Sequence, residues 1–210
     1  MAENTDSQGQ ATVWLEPGQV NELRTAAHAD RFLSYLRNRN ETIITLMYDT
    51  GLRVGELVQL DVEMFRNGYE QLFLPGHIQK DYPTESSPSA ITIELDPDDA
   101  LGTPRIASSY MINRWKSAPA LFPSRVSDRM TPQAVRDMLS EVAAEADVRP
   151  FKLDGSQATH SAVTPHALRH SVAYRMLHEE DGYTLYDVRN RLRHRSIQTT
   201  ERVYDHFRTV

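Results

Sequence analysis

Four prolines stand where helices can begin but cannot continue: Pro17, Pro97, Pro132 and Pro165. Their fixed φ and missing N–H suit the first helical turn and break a helix deeper in. After Pro17, Val20, Leu23 and Ala27 recur at helical spacing. A second helix is expected from Asp30 to about Tyr48, with Phe32, Leu36, Ile43, Ile44 and Met47 on partial apolar faces and an interruption at Asn38–Asn40. Thr50-Gly51 is a stop signal, and Arg53 to Leu60 reads as a new helix with Leu57 and Leu60 facing inward. Pro97 opens another helical stretch, and further helices are expected at Pro132–Ala146, Pro165–Glu180 and Leu185–Arg193. One region breaks this pattern. Ala90-Ile91-Thr92-Ile93-Glu94-Leu95 alternates at period two, and Gln71–Leu74 is a shorter strand candidate. Between them, Pro75 to Ser89 is rich in Pro, Ser, Asp and Gly and reads as a long hairpin loop carrying Lys80.

A chain of 210 residues is long enough for one well-buried core with at most a small appendage. Residues 1–13 are polar and lack apolar periodicity, so they are expected to form a flexible tail, with ordered structure from Trp14. No apolar run approaches the roughly 18 residues of a membrane span. Met1 to Gln10 lacks the apolar stretch of a signal peptide, which makes the cytoplasm the default location. There is no cysteine. Disulfides, thiolate metal sites and cysteine nucleophiles are excluded, so covalent chemistry would use Ser, Thr, Tyr, Lys, His or a carboxylate.

The net charge of −6 argues against a generally basic protein that coats nucleic acid. Of the 23 basic residues only Lys80, Lys116 and Lys152 are lysines; the rest are arginines. Acidic excess with scarce lysine points to a salt-rich cytoplasm. There, salt would screen weak phosphate contacts, and binding would depend on bidentate arginine and shape.

Three segments carry chemistry. In Thr164-Pro165-His166-Ala167-Leu168-Arg169-His170, Thr164 is a good N-cap, and His166 and Arg169 share a face at the helix N-terminus. Free backbone N–H groups and the helix dipole favour an anion there. An arginine fork would hold a phosphate, and a histidine beside it could exchange a proton. By itself the segment reads equally as a capped surface helix. The second segment runs from Leu192 through His194 to Tyr204 and His206, with Arg189, Arg191, Arg193 and Arg195 making it the most basic stretch. A lone tyrosine near a C-terminus is ordinarily a packing residue. In the third, Thr50-Gly51-Leu52-Arg53-Val54-Gly55-Glu56-Leu57, Gly51 gives a tight turn, Arg53 opens a helix and Glu56 sits one turn on. A surface ion pair there would be worth little.

Together the three resemble the tyrosine recombinases of the phage-integrase family. Those proteins carry Thr-Gly-Leu-Arg-x-x-Glu-Leu, a lysine on a β-hairpin, a His-x-x-Arg helix, a Leu-Gly-His-x-Ser-Ile-x-Thr-Thr segment and then a tyrosine. Here Arg53 with Glu56, Lys80, His166 with Arg169, His194 and Tyr204 occur in that order, across about Trp14 to His206. The resemblance implies a mainly α fold with a small antiparallel β-sheet (α+β), residues 14–210 forming the catalytic domain. It implies site-specific breakage and rejoining of double-stranded DNA, without metal or other cofactor. Arg53 and Arg169 would clamp the phosphate oxygens. Tyr204 would attack phosphorus, giving a 3′-phosphotyrosyl link and a free 5′-hydroxyl. His166 would act as general base or relay, Lys80 would protonate the leaving oxygen, and His194 would donate to the phosphate. Glu56 would support the site. With the acidic, lysine-poor composition, the resemblance suggests a halophilic archaeon or its virus as source.

Some residues depart from that pattern. The hairpin carries Gly76-His77-Ile78-Gln79-Lys80 in place of Gly-Lys-Gly, and Arg193 replaces the glycine before His194, which could alter a turn or add a phosphate contact. The usual N-terminal core-binding domain, with which relatives clamp DNA, is not found. The chain is then expected to be a catalytic fragment or short relative, or to work with a partner protein that supplies the clamp. Self-association on DNA, from dimer to tetramer, is implied, though the short segment after Tyr204 puts tail-mediated assembly in doubt. A DNA-binding regulator that no longer recombines, a type IB topoisomerase, and a metal hydrolase using His166 and His170 are the competing readings. For the last, Ala167 stands where a zinc-helix glutamate belongs.

Overall fold

The computed structural model describes residues 12–79, 88–179 and 182–207. Its centre is α2 (Ser34–Thr50), which packs against α1 (Pro17–Ala26), α4 (Thr103–Ile112) and α6 (Pro165–Tyr174). Ile43, Ile44, Leu46 and Met47 are fully buried, so α2 has apolar neighbours on more than one side. Each such side chain contributes roughly 1.5–3 kcal/mol by leaving water. The expected interruption at Asn38–Asn40 does not occur. Asn40 is buried, and its side-chain oxygen accepts from Arg39 Nε at 3.2 Å and Nη2 at 2.8 Å. A satisfied asparagine no longer competes with the helix backbone.

α3 (Val54–Val58) follows at once and is shorter than expected. The sheet comprises β2 (Phe65–Arg66), β3 (Gln71–Leu74) and β4 (Ile91–Glu94), antiparallel and in that order, with Leu72 opposite Ile93. The two expected strands are present, and β2 extends the sheet by a third. No helix starts at Pro97. The buried Asp96 carboxylate instead accepts four backbone N–H groups, from Ala100 (2.9 Å), Leu101 (2.8 Å), Gly102 (2.6 Å) and Thr103 (3.4 Å). That wraps residues 96–102 into a turn and defers α4 to Thr103, with Pro104 in its first turn.

α5 (Pro132–Ala146) matches expectation and is capped by the Thr131 hydroxyl, which accepts from Ala134 N at 3.1 Å. A two-stranded pair, β1 (Val13–Trp14) with β5 (Phe151–Lys152), draws Val13 into ordered structure, so the expected tail of 1–13 is too long by at least that residue. α6 ends at Tyr174 and gives way to a wider π turn, Arg175–Glu179. α7 (Leu185–Leu192) and α8 (Ile197–Tyr204) close the fold against α6. α8 was not expected.

Candidate active site

The site is built on the C-terminal end of α2, where the last carbonyl groups of a helix lack intrahelical partners. Gly51 ends α2 at φ +61, and a Cβ there would lie 2.3 Å from Leu192 Cδ2. Glycine is therefore required twice, for its backbone and for its lack of bulk. The orphan carbonyls are taken by three arginines, Arg169 of α6, Arg191 of α7 and Arg193, which ends α7. Arg191 donates Nε to Asp49 O at 2.9 Å, and its Nη2 pairs with the Asp49 carboxylate. Arg193 donates Nη1 to Thr50 O at 3.0 Å and Nη2 to Gly51 O at 3.3 Å. Arg169 donates Nη1 to Gly51 O and Nη2 to Leu192 O. Cations at a helix C-terminus are favoured by its dipole, so the fold places positive charge where it costs least.

Glu56 balances that charge. It is 2% exposed and sits between Arg53 and Arg193. Its Oε2 accepts the Arg53 backbone N–H at 2.8 Å and Arg193 Nη2 at 3.0 Å, and Oε1 meets Arg53 Nη1 at 3.0 Å. Burial alone would raise its pKa, but Arg193, Arg53 and Arg169 overcome this and hold the carboxylate below its usual range. Arg169 is pushed down to about 9 by burial and by repulsion from Arg53 and Arg193. It still carries its charge at neutral pH.

The other half of the site comes from α6 and α8. Thr164 caps α6, its hydroxyl accepting from Ala167 N at 3.1 Å, as the sequence indicated. His166 is exposed on the first turn. His170 lies one turn on, buried, with the two rings edge-to-face at 4.2 Å between centroids. Tyr204, on α8, is 1% exposed. Its hydroxyl lies 3.0 Å from His170 Nδ1, and its ring lies parallel to that of His194 at 5.8 Å. His194 Nδ1 is 2.9 Å from the hydroxyl of Thr200. Burial raises the Tyr204 phenol to about 12, despite Arg169 and Arg53. Burial, then Arg169, Arg53, Arg193 and His166, push His194 down to about 3. His170 is held well below the usual histidine value by burial, His166, Arg169, His194 and His206.

The structure thus brings Arg53, His166, Arg169, His194 and Tyr204 into one electrostatically coupled cluster. Lys80 lies outside the described residues. The cleft beside β4 and α7, lined by Asp49, Glu94, Asp98, Arg175 and Arg191, contains none of the expected site residues. Two members of the site depart from the sequence expectation. The sequence suggests His170 only as a metal ligand, although its four-residue spacing from His166 puts it on the same helix face. Arg193 takes the left-handed conformation expected of the missing glycine, at φ +57, and its guanidinium turns inward to Glu56 and the carbonyls. Among the described residues no group of three His, Asp or Glu is placed to hold a metal ion.

The chain belongs to the phage integrase family, whose model matches residues 13–209. A tyrosine recombinase XerC of Bifidobacterium longum is 31% identical over 194 residues, covering 89% of this chain and 50% of the relative. A tyrosine recombinase XerD of Agrobacterium fabrum is 33% identical over 177 residues, covering 81% of this chain and 49% of the relative. The chain therefore spans about half the length of these relatives. Among solved structures, XerH site-specific recombinase bound to a palindromic difH substrate in a post-cleavage complex aligns with a TM-score of 0.68 at 19% identity, over 94% of this chain and 50% of that one. The catalytic domain of bacteriophage HP1 integrase aligns with a TM-score of 0.56 at 17% identity, over 94% of this chain and 89% of that one. Both show the same helical fold with small antiparallel sheets.

Proposed function

We propose that residues 14–210 act as the catalytic domain of a site-specific DNA recombinase, which cuts and rejoins double-stranded DNA through a 3′-phosphotyrosyl link at Tyr204. The observation that carries this reading is that Tyr204, bonded to His170 on α6, lies within the field of Arg53 and of Arg169, whose guanidinium holds the end of α2, although the three are far apart in sequence. The two guanidinium groups would stabilise the charge that builds on a phosphodiester as the phenolic oxygen attacks. His194 suits a donor role. If the Thr200 hydroxyl donates to Nδ1, the neutral ring carries its proton on Nε2, free to reach a phosphate oxygen. His166, at the exposed edge, would accept or relay the nucleophile's proton, and Lys80 would protonate the departing 5′-oxygen. Glu56 keeps Arg53 and Arg193 in place and takes no part in the chemistry.

Tyr204 is 1% exposed in this conformation, so binding of DNA would have to uncover its hydroxyl while the contact with His170 is kept. DNA is proposed as the partner, with self-association on it and a clamp supplied by further protein. Among the described residues no helix is long and apolar enough to cross a membrane, and action in the cytoplasm is part of the proposal.

The test is a pool of nicked duplexes with randomised cores, incubated with the chain in chelator and then denatured in detergent. Covalent protein–DNA species are expected from the wild type and not from Tyr204→Phe. Equal yields from both would overturn the reading.

A further inference from the structure

We infer that His170 is the immediate proton acceptor for the Tyr204 hydroxyl, and that His166 is the outlet from His170 to solvent; this rests on the reading of Tyr204 as nucleophile. His170 Nδ1 is the imidazole nitrogen that meets the hydroxyl, at 3.0 Å, with the two residues 5% and 1% exposed. His194, the other imidazole against the phenol, has its Nδ1 engaged by Thr200 at 2.9 Å. His166 lies one helical turn from His170, in ring contact at 4.2 Å, and is exposed. Buried phenol, buried imidazole and exposed imidazole thus lie in order from the proposed nucleophile towards water, the first pair in hydrogen-bond contact and the second in ring contact.

The protonation states fit that direction. The phenol, raised to about 12, keeps its proton at neutral pH, while His170 stays neutral and offers a lone pair. The hydroxyl therefore donates to Nδ1, and the ring carries its own proton on Nε2. The groups facing His170 are His166 and Arg169 on α6, His194 beyond α7, Tyr204 on α8 and His206 just after it. Four of them are basic, so the ring is a weak base and does not strip the phenol at rest. The proton moves only as the oxygen commits its electrons to phosphorus. The Tyr204 O–H bond breaks and Nδ1 gains that proton. His170 then gives up its Nε2 proton to His166 by way of solvent at the exposed edge, the new O–P bond forms, and the bond from phosphorus to the 5′-oxygen breaks. The leaving oxygen takes its proton from a separate donor, which keeps the two ends of the reaction distinguishable.

The experiment uses duplexes recovered from the randomised pool, made with either oxygen or sulfur at the leaving 5′-position. Sulfur departs without a proton, so this substrate reports on the nucleophile alone. Single-turnover trapping is measured for the wild type, His170→Asn, His170→Gln and His166→Ala across pH. His170→Asn keeps a polar atom near the Nδ1 position but no proton acceptor. It is expected to trap about 100-fold more slowly on both substrates. His166→Ala is expected to slow by roughly tenfold and to be restored by added imidazole, because its site is open to water. Trapping by His170→Asn within a few-fold of wild type on the sulfur substrate would overturn the inference, as would slowing on the oxygen substrate alone. If His170→Asn has a lowered thermal midpoint, His170→Gln serves the same comparison. Failure of wild-type trapping, or trapping by Tyr204→Phe, would instead sink the assignment of the nucleophile.

Discussion

The two halves of the site are held in different ways. On the arginine side, three guanidinium groups are fixed by carbonyls at the end of α2, and Glu56 bridges two of the site's arginines with both oxygens. On the tyrosine side, the Tyr204 hydroxyl meets His170 and His194 Nδ1 meets Thr200, and among the described residues the remaining contacts between these rings are aromatic packing. The charge that would receive a phosphate is built into the backbone framework, while Tyr204, the proposed nucleophile, is held by a single described side-chain hydrogen bond and by ring packing. A preorganised charge and a covered nucleophile would suit the proposed reaction, which should begin only when DNA is in place.

Removing the central guanidinium should break this comparison most severely. Arg169→Ala is expected to lower the rate of covalent trapping about 1000-fold. It also leaves the Leu192 carbonyl without that donor, at a cost of roughly 1–3 kcal/mol in stability. Arg169→Lys, which keeps charge but not the fork, should recover stability better than rate. Glu56→Gln comes next. Removing the shared carboxylate is expected to cost about 3 kcal/mol in chemical denaturation. Gly51→Ala should cost about 2 kcal/mol through its positive φ and the crowding of Leu192. A thermal midpoint like the wild type's would show that the turn is not under this constraint.

The tyrosine side should reveal itself by pH. His194, lowered to about 3, and His170, lowered by burial, stay neutral in the folded state while the unfolded chain takes up protons below the ordinary histidine value of about 6.5. Stability from these rings is therefore complete above about pH 6.5 and lost as pH falls towards 3, by up to about 1.4 kcal/mol per unit for each ring. Denaturation between pH 6.5 and 5 should show that slope in the wild type and a shallower one in His194→Gln. An unchanged slope would mean that His194 titrates normally in the folded chain.

Much of this was legible in the sequence because it rested on local rules. Thr164 and Pro165 start α6, Gly51 stops α2, and period-two alternation marks β4. What escaped depended on contacts between distant segments or on competing local signals. α8 is rich in β-branched residues, which are weak helix formers. Its Ser196 cap and the spacing of Ile197, Thr200, Tyr204 and Phe207 are the local signals that favour a helix against that propensity. The turn at Asp96 needed a carboxylate to gather four N–H groups, which no periodicity announces. The pairing of His170 with Tyr204 spans 34 residues and exists only once α8 folds back on α6.

The most direct measurement maps the attachment point of DNA in the trapped complex by peptide mass spectrometry. The account predicts a 3′-phosphate on Tyr204 oxygen, with a free 5′-hydroxyl on the released strand. Attachment at another residue, or through a 5′-phosphate, would contradict it.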